Sequence, residues 1–339
     1  MSRAGLVLVV MWAAGACGGD AAAPAVGTLF DAPIVGPVNQ RVFYLNYVDR
    51  MPGPGVQDYA CGQKTYDGHL GTDITLASFA VMDSGVPVVA AAPGTVVATH
   101  DGEFDRQKAW IAGAVWNFVA IRHADGLLSI YGHLKKNSVT VAPGQAVAAG
   151  APLGEVGSSG FSDVPHLHFE VHDANAVVVD PWAGRCRVGA SRWAAQLPYQ
   201  NVFALIGSGL TDATMSLDLA KDPPAQVDTF FTNDALVTMW VELVNVVAGT
   251  PAEFRLYQPD NALAASFAFV HGTSYSLSWW WAWHLVSGYL TQPGTWRMQY
   301  LQNGAVLAER SFVLVAVPVG RSRPLIAGVS PSGMGGGGL

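Results

Sequence analysis

Residues 165–170, with the sequence PHLHFE, decide the fold and the chemistry expected of this chain. His166, His168 and Glu170 alternate with apolar residues, so in a β-strand they would share one face while the apolar side chains face a core. Histidines two positions apart in a strand stand side by side, about 6.6 Å between Cα atoms. One of them could bind a metal ion while the other lies beside it, and the segment therefore predicts a strand that carries a metal site.

An earlier stretch, GHLGTD at residues 68–73, supplies two further candidate ligands. In an extended strand the Cα atoms of His69 and Asp73 would be about 13 Å apart, too far for one ion. Gly68 and Gly71 disfavour a helix. We therefore expect a turn in which Gly71 lets the chain fold back. Imidazole and carboxylate are ordinary zinc ligands.

A third stretch, YGHL at residues 131–134, adds a lone histidine. His133 alternates with Tyr131 and Ser129, and pairing of adjacent strands would bring it to the same patch. Two histidines and one carboxylate on a metal ion, with an open position, are typical of a catalytic zinc site. Zinc lowers the pKa of a bound water to about 7 and polarises a carbonyl. Spare histidines could accept the water's proton or stabilise an oxyanion.

The three stretches together resemble the motifs of the lysostaphin/LytM-type zinc metallopeptidases, bacterial enzymes that cut peptide bonds in peptidoglycan. That family's first motif is His-x-x-x-Asp and its last is His-x-His, and the match covers residues 61–180. The resemblance implies an antiparallel β-sheet peptidase domain, Zn²⁺ as cofactor and peptidoglycan as substrate. It also implies the site residues: zinc ligands His69, Asp73 and His168, and catalytic histidines His133 and His166.

Two alternatives to a peptidoglycan endopeptidase stay open. One is a non-catalytic cell-wall binding or amidase-activating module, because the polar and aromatic residues 100–116 could cover the site as well as form a groove wall. The other is a secreted protease that acts on other walls or proteins. All five functional positions are filled, which favours an enzyme. We expect Glu170 to be a surface or supporting carboxylate rather than a catalytic group.

Composition sets broader limits. The chain has 339 residues, enough for two domains, and a net charge of −7. No cluster of Lys or Arg is present, which argues against nucleic acid as a partner. Half of the residues are hydrophobic and 13% are charged. Many short Val, Thr and Ala runs between Gly and Pro predict a mainly β protein.

The first residues resemble an export signal. Residues 1–17 contain an apolar run too short to span a bilayer comfortably, followed by small residues before Cys17. This pattern is typical of a bacterial lipoprotein signal peptide, with Cys17 as a lipid anchor and residues 18–27 as a tether. The alternative is plain secretion with an incidental cysteine. Both interpretations place the protein outside the cytoplasm, the lipoprotein in the periplasm or at the outer membrane.

Two cysteines remain if Cys17 is lipidated. In an oxidising compartment Cys61 and Cys186 favour a disulfide that would tie together the ends of the domain carrying the motifs. Two free buried thiols are the alternative.

The rest of the chain predicts two domains and a tail. Residues 28–200 are assigned to the zinc peptidase domain. Residues 209–318 have about seven short strands, with a hairpin signature at Asn303-Gly304, and predict an immunoglobulin-like β-sandwich. Residues 319–339 are Gly-rich and predict a disordered tail. The WWWAW stretch at residues 279–283 is either an exposed glycan-binding patch or a core strand.

Overall fold

A computed structural model describes residues 27–317, 330 and 332–339. Strands make up 43% of the structure and helices 3%, which confirms a mainly β protein. The expected signal peptide, Cys17 and the tether up to residue 26 lie outside the described residues. Within the described ranges, no helix is long and apolar enough to cross a membrane.

A seven-stranded antiparallel sheet carries the three motifs. In spatial order, with numbering along the chain, its strands are β1 (Val42–Asn46), β2 (Gly71–Leu76), β9 (His166–His172), β6 (Leu128–Gly132), β5 (Phe118–Arg122), β4 (Gly94–His100) and β7 (Ala146–Val147). A small second sheet pairs β3 (Pro87–Val89) with β8 (Pro152–Glu155), and the short helix α1 (Phe79–Asp83) follows β2.

The two faces of β9 divide as the sequence predicts. Leu167, Phe169 and Val171 are buried in the core of this region. Phe169 packs edge-on against Tyr131, with ring centroids 5.3 Å apart. The residues that alternate with them face the other side of the sheet, where the metal site was expected.

Two further sheets follow in the C-terminal region, defined here as β10 to β18. The four-stranded sheet has the order β10 (Ala204–Thr211), β12 (Leu236–Val246), β15 (Tyr275–Leu285) and β18 (Ser332–Gly338). The five-stranded sheet has the order β11 (Thr229–Phe231), β17 (Ala305–Val315), β16 (Gly294–Gln302), β13 (Pro251–Tyr257) and β14 (Leu263–Val270). The helix α2 (Leu217–Lys221) lies between β10 and β11 in sequence.

The two C-terminal sheets share one hydrophobic core, to which Met239 and Val241 contribute from one sheet and Phe254 and Met298 from the other. An immunoglobulin-like topology and the domain boundaries at residues 200 and 209 stay predictions. The hairpin signature is confirmed: β16 and β17 are joined by a two-residue turn in which Asn303 has φ 52° and Gly304 has φ 78°.

The disulfide is also confirmed. Cys61 and Cys186 are bonded, with a sequence separation of 125 residues. The bond joins the segment before the first motif to the segment after the last one, as the spacing suggested.

The prediction of a disordered tail is wrong for its last residues, because Ser332–Gly338 forms β18 and pairs with β15 in antiparallel register. The glycines allow this close approach. A Cβ on Gly335 would lie 2.8 Å from the Trp281 ring, and one on Gly336 would overlap the Trp280 ring. Composition alone does not reveal a partner so distant in sequence. Residues 318–329 and 331 lie outside the described residues.

The tryptophans of β15 belong to hydrophobic cores and do not form an exposed patch. Trp279 and Trp281 are 1% and 9% exposed. Trp280 points to the other face and stacks on Phe269, with ring centroids 4.8 Å apart. The structure therefore supports the core-strand interpretation over glycan binding.

A matched pair of glycines tests the packing of β18. Gly336→Ala should lower the free energy of unfolding by about 1–3 kcal/mol, because the new methyl group overlaps the Trp280 ring. At Gly337 an added Cβ would lie 3.7 Å from Leu217, an ordinary contact. Gly337→Ala should therefore change stability by less than about 0.5 kcal/mol. Urea unfolding followed by tryptophan fluorescence measures both, and equal effects would contradict the glycine–tryptophan packing.

Candidate metal centre

Three buried side chains converge on one face of the sheet, where β2 pairs with β9. Asp73 Oδ1 lies 3.1 Å from His69 Nε2 and 2.9 Å from His168 Nδ1. The two histidine nitrogens are 3.2 Å apart. A tetrahedral ion with ligands at 2.0–2.1 Å places its ligand atoms about 3.3 Å from one another. The donor set therefore has the spacing and the chemistry to hold a metal ion.

Strand register explains how distant residues meet here. Asp73 in β2 is the direct cross-strand partner of His168 in β9. His69 precedes β2 and follows a turn in which Gly68 has φ 78°. The expectation that Gly71 makes the turn is wrong, because Gly71 is the first residue of β2. Its missing side chain serves another purpose, since a Cβ there would lie 2.7 Å from His168 Nε2.

Hydrogen bonds orient the two histidines of the group. His69 Nδ1 donates to the Tyr47 carbonyl at 2.7 Å, and His168 Nε2 donates to Glu170 Oε2 at 2.9 Å. With those protons assigned, the opposite ring nitrogens, His69 Nε2 and His168 Nδ1, are the atoms that would bind a metal ion. Glu170 is thus a supporting carboxylate, as expected.

The carboxylate of Asp73 is oriented as well. Asn46 Nδ2 donates to Asp73 Oδ2 at 3.1 Å, which leaves Oδ1 for the centre. Neither Asn46 nor Tyr47 carried a recognisable motif. Their role follows only from the pairing of β1 with β2 and the chain that continues from it.

The charges of the group compensate one another. Burial alone would raise the pKa of Asp73, but His69, His166 and His168 hold it well below its usual range. Burial alone would lower the pKa of His168, but Asp73 and Glu170 raise it to about 10. The metal-free site therefore holds a proton on His168, and a metal ion must displace it.

Two further histidines stand beside the three ligands. The rings of His133 and His166 have centroids 4.5 Å apart, and His166 Nε2 lies 3.7 Å from Asp73 Oδ1. His133 Nδ1 donates to the Ser159 carbonyl at 2.6 Å, and His166 Nδ1 donates to the Val164 carbonyl at 2.9 Å. With these protons assigned, the Nε2 atom of each ring is a hydrogen-bond acceptor. All five residues predicted from the sequence thus lie in one site.

His133 faces the site because its backbone departs from the regular alternation of a strand. Tyr131 pairs with Phe169 and faces the core, where its hydroxyl accepts a hydrogen bond from the Ala91 amide at 2.8 Å. A regular strand would place His133 on that face too. Instead His133 has φ 61°, a left-handed conformation that turns the ring to the opposite side. Such a conformation costs about 1–3 kcal/mol outside glycine and is often found at functional sites.

The environment of His133 favours the neutral ring. Burial, together with the neighbouring His166 and His168, holds the pKa of His133 well below its usual value. The ring is therefore neutral at neutral pH, and its Nε2 atom carries a lone pair that can accept a hydrogen bond.

Aromatic side chains wall the site, and sequence reasoning named none of them individually. The Trp116 ring lies 4.9 Å from that of His133 and 5.7 Å from that of His168, between centroids. It covers Gly132, where a Cβ would overlap the indole. Trp116 ends the stretch predicted as a groove wall. Tyr66, which is 46% exposed, lies 4.3 Å from the His69 ring on another side.

Residues 67–181, which span this site, match the model of peptidase family M23. The chain contains an M23 peptidase domain. The domain is similar to an uncharacterized metalloprotease of Haemophilus influenzae, with 34% identity over 113 residues, 33% of this chain and 20% of that protein. It is also similar to the murein hydrolase activator EnvC of Escherichia coli, with 38% identity over 100 residues, 29% of this chain and 23% of that protein.

A third relative of the M23 domain is the peptidoglycan DD-endopeptidase ShyA of Vibrio cholerae, with 34% identity over 103 residues, 30% of this chain and 20% of that protein. The chain thus spans about a fifth of the length of these relatives. Among solved structures, the catalytic domain of lysostaphin from Staphylococcus simulans is 24% identical, with a TM-score of 0.28, covering 42% of this chain and 90% of that one.

The supporting carboxylate gives one test of the centre. Glu170→Gln removes the charge that orients His168, and the affinity for Zn²⁺ should fall about 10- to 100-fold. Glu103 is a matched control, because it forms an exposed pair with His100 at 2.8 Å. Glu103→Gln should leave the affinity unchanged. Competition with a chromophoric chelator measures both, and equal affinities for Glu170→Gln and wild type would refute this role.

The proton on His168 gives a second test. Zn²⁺ needs the neutral Nδ1 atom, so affinity should rise with pH throughout the range below the His168 pKa of about 10. Between about pH 6 and pH 9 this group alone should weaken binding roughly tenfold for each unit that the pH falls. Chelator competition across that range measures the slope. An affinity independent of pH would show that His168 carries no proton in the metal-free site over this range.

Proposed function

We propose that this chain is an exported zinc-dependent endopeptidase that hydrolyses the peptide crosslinks of bacterial peptidoglycan. One observation carries the proposal. His69, Asp73 and His168 form a group that could hold a metal ion, with ligand atoms within 4.8 Å of one another. Beside this group lie His133 and His166, which are bonded through Nδ1 and have Nε2 as an acceptor. A structural metal site has no need of the two extra histidines.

The proposed roles follow from hydrogen bonding. His69, Asp73 and His168 hold zinc, which when bound supplies a Lewis acid that polarises the scissile carbonyl and acidifies water. His133 and His166 are fixed through Nδ1, so the Nε2 atom of one of them accepts the proton of the attacking water. The ring that has gained the proton then donates a hydrogen bond to the oxyanion and passes the proton to the leaving amine.

The substrate class is supported by the relatives. ShyA is named a peptidoglycan DD-endopeptidase, and a Neisseria relative 38% identical over 97 residues is named a DD-carboxypeptidase/endopeptidase. We place the scissile bond in a D-Ala to diaminopimelate crosslink rather than in a Gly-Gly bridge. The disulfide supports an oxidising compartment. With Cys17 as the proposed lipid anchor, the protein would act in the periplasm or at the outer membrane.

A hydrolase activator is the second candidate, favoured by the similarity to EnvC. An activator does not need an intact catalytic group, whereas here all five residues are present and converge. The two candidates differ in whether the protein cuts peptidoglycan by itself.

Purified murein tests the proposal. With Zn²⁺ supplied, the wild-type protein should release muropeptides. His166→Ala should keep the metal and lose about 10²- to 10⁴-fold in rate, because only proton transfer is removed. His69→Ala should lose both metal and activity. His100→Ala is the control, since His100 pairs with Glu103 outside the site.

Chromatography of the released products and metal analysis decide between the candidates. If the wild-type protein holds one zinc and leaves murein intact, the endopeptidase proposal is wrong. Stimulation of a murein amidase by the same preparation would then establish the activator.

A further inference from the structure

Lys221 is a buried cation at the end of α2, and it reaches out of the C-terminal region. Its side chain is 5% exposed, and its Nζ lies 2.6 Å from Asp163 Oδ2. The same Nζ donates to the Lys108 carbonyl at 2.9 Å. Asp163 is itself buried. A buried pair of this kind is informative because removing one partner leaves an uncompensated charge.

Asp163 belongs to the segment of residues 157–165, which fixes both proposed catalytic histidines. The carbonyl of Ser159 accepts from His133, and the carbonyl of Val164 accepts from His166. The hydrogen bonds that orient the two histidine ligands lie elsewhere, because His69 bonds the Tyr47 carbonyl and His168 bonds Glu170. The position of residues 157–165 therefore affects the orientation of His133 and His166 more than that of the metal ligands.

A second segment is held by the same helix end. Residues 105–107 pair with Ser158, through hydrogen bonds of 2.9 Å to the Asp105 carbonyl and 3.0 Å from the Gln107 amide. Asp222, the C-cap of α2, bonds Arg106 at 2.9 and 3.0 Å and pairs with Lys108 at 2.8 Å. Lys221 and Asp222 thus tie α2 to both segments.

Apolar contacts continue the same junction. Val164 lies in one hydrophobic cluster with Phe43 of β1 and with Trp279 and Trp281 of β15. Lys221 Nζ lies 5.8 Å from the centroid of the Trp279 ring. The residue whose carbonyl orients His166 is therefore packed against the C-terminal region through its side chain.

We propose that Lys221 is a positioning residue of the peptidase site, through which the C-terminal region holds residues 157–165, and with them His133 and His166, in the reactive geometry. This inference rests on the proposed endopeptidase function. Small displacements of reacting groups are expensive, since a misplacement of about 1 Å can cost about 100-fold in rate. Without Lys221 the metal ligands keep their partners, whereas the carbonyls of Ser159 and Val164 are no longer held in position for His133 and His166.

Kinetics of the full chain on a soluble crosslinked muropeptide test the proposal. Lys221→Met should lower kcat about 10- to 100-fold with KM and zinc content nearly unchanged. Lys221→Arg keeps the charge and should restore most of kcat. Asp163→Asn should lower kcat in the same direction, and the double variant should be no worse than the more damaging single one, because both act through one pair. Arg297→Met is the control, since it breaks an exposed pair with Glu309.

Hydrogen–deuterium exchange of the same full-length variants gives a readout independent of catalysis. Lys221→Met should speed exchange of the amides in residues 157–165, and Arg297→Met should not. If the wild-type protein cuts no muropeptide but exchange responds in this way, the endopeptidase proposal fails while the link from Lys221 to the segment stands. If the wild-type protein is active but Lys221→Met and Asp163→Asn keep its kcat and exchange pattern, the positioning role is refuted.

Discussion

The structure depends on one buried carboxylate. Asp73 accepts from Asn46 through Oδ2 and faces three histidines through Oδ1. An ionised carboxyl group removed from water costs several kcal/mol unless it is compensated. In the metal-free protein the histidines provide that compensation, which is why Asp73 has a pKa well below its usual range and His168 one of about 10. A bound divalent ion would compensate the same charge, so the metal-free site already has the arrangement of groups that a metal ion needs.

The C-terminal region contributes to the site through packing rather than through ligands. Trp279 and Trp281, in a stretch for which the sequence left a carbohydrate surface and a core strand open, pack against β1 and against Val164. The Gly-rich strand β18 then covers the edge of β15, where side chains larger than hydrogen would collide with the indole rings. One cluster of aromatic residues thus joins the end of the chain to the segment that orients the proposed catalytic histidines.

The five site residues could be named from the sequence because its three motifs resemble those of a known peptidase family. Alternation along β9 places His166, His168 and Glu170 on one face, and the motif order brings in His69 and Asp73. What it could not predict depends on contacts between distant residues. The left-handed turn at His133, the space that Gly71 leaves for His168, and the support from Asn46 all arise from strand pairing. The prediction of a disordered tail was wrong for the same reason, since a glycine-rich composition does not show that the segment pairs with the tryptophans of β15.

X-ray absorption at the zinc edge of the loaded protein, combined with a structure of that form, tests the central claim most directly. The account predicts one zinc bound by two imidazole nitrogens, from His69 and His168, and by a carboxylate oxygen of Asp73, with a remaining position open to a small oxygen ligand. His133 and His166 should stay outside the coordination sphere. Zinc closed by four protein ligands, or bound away from Asp73, would contradict the proposed catalytic centre.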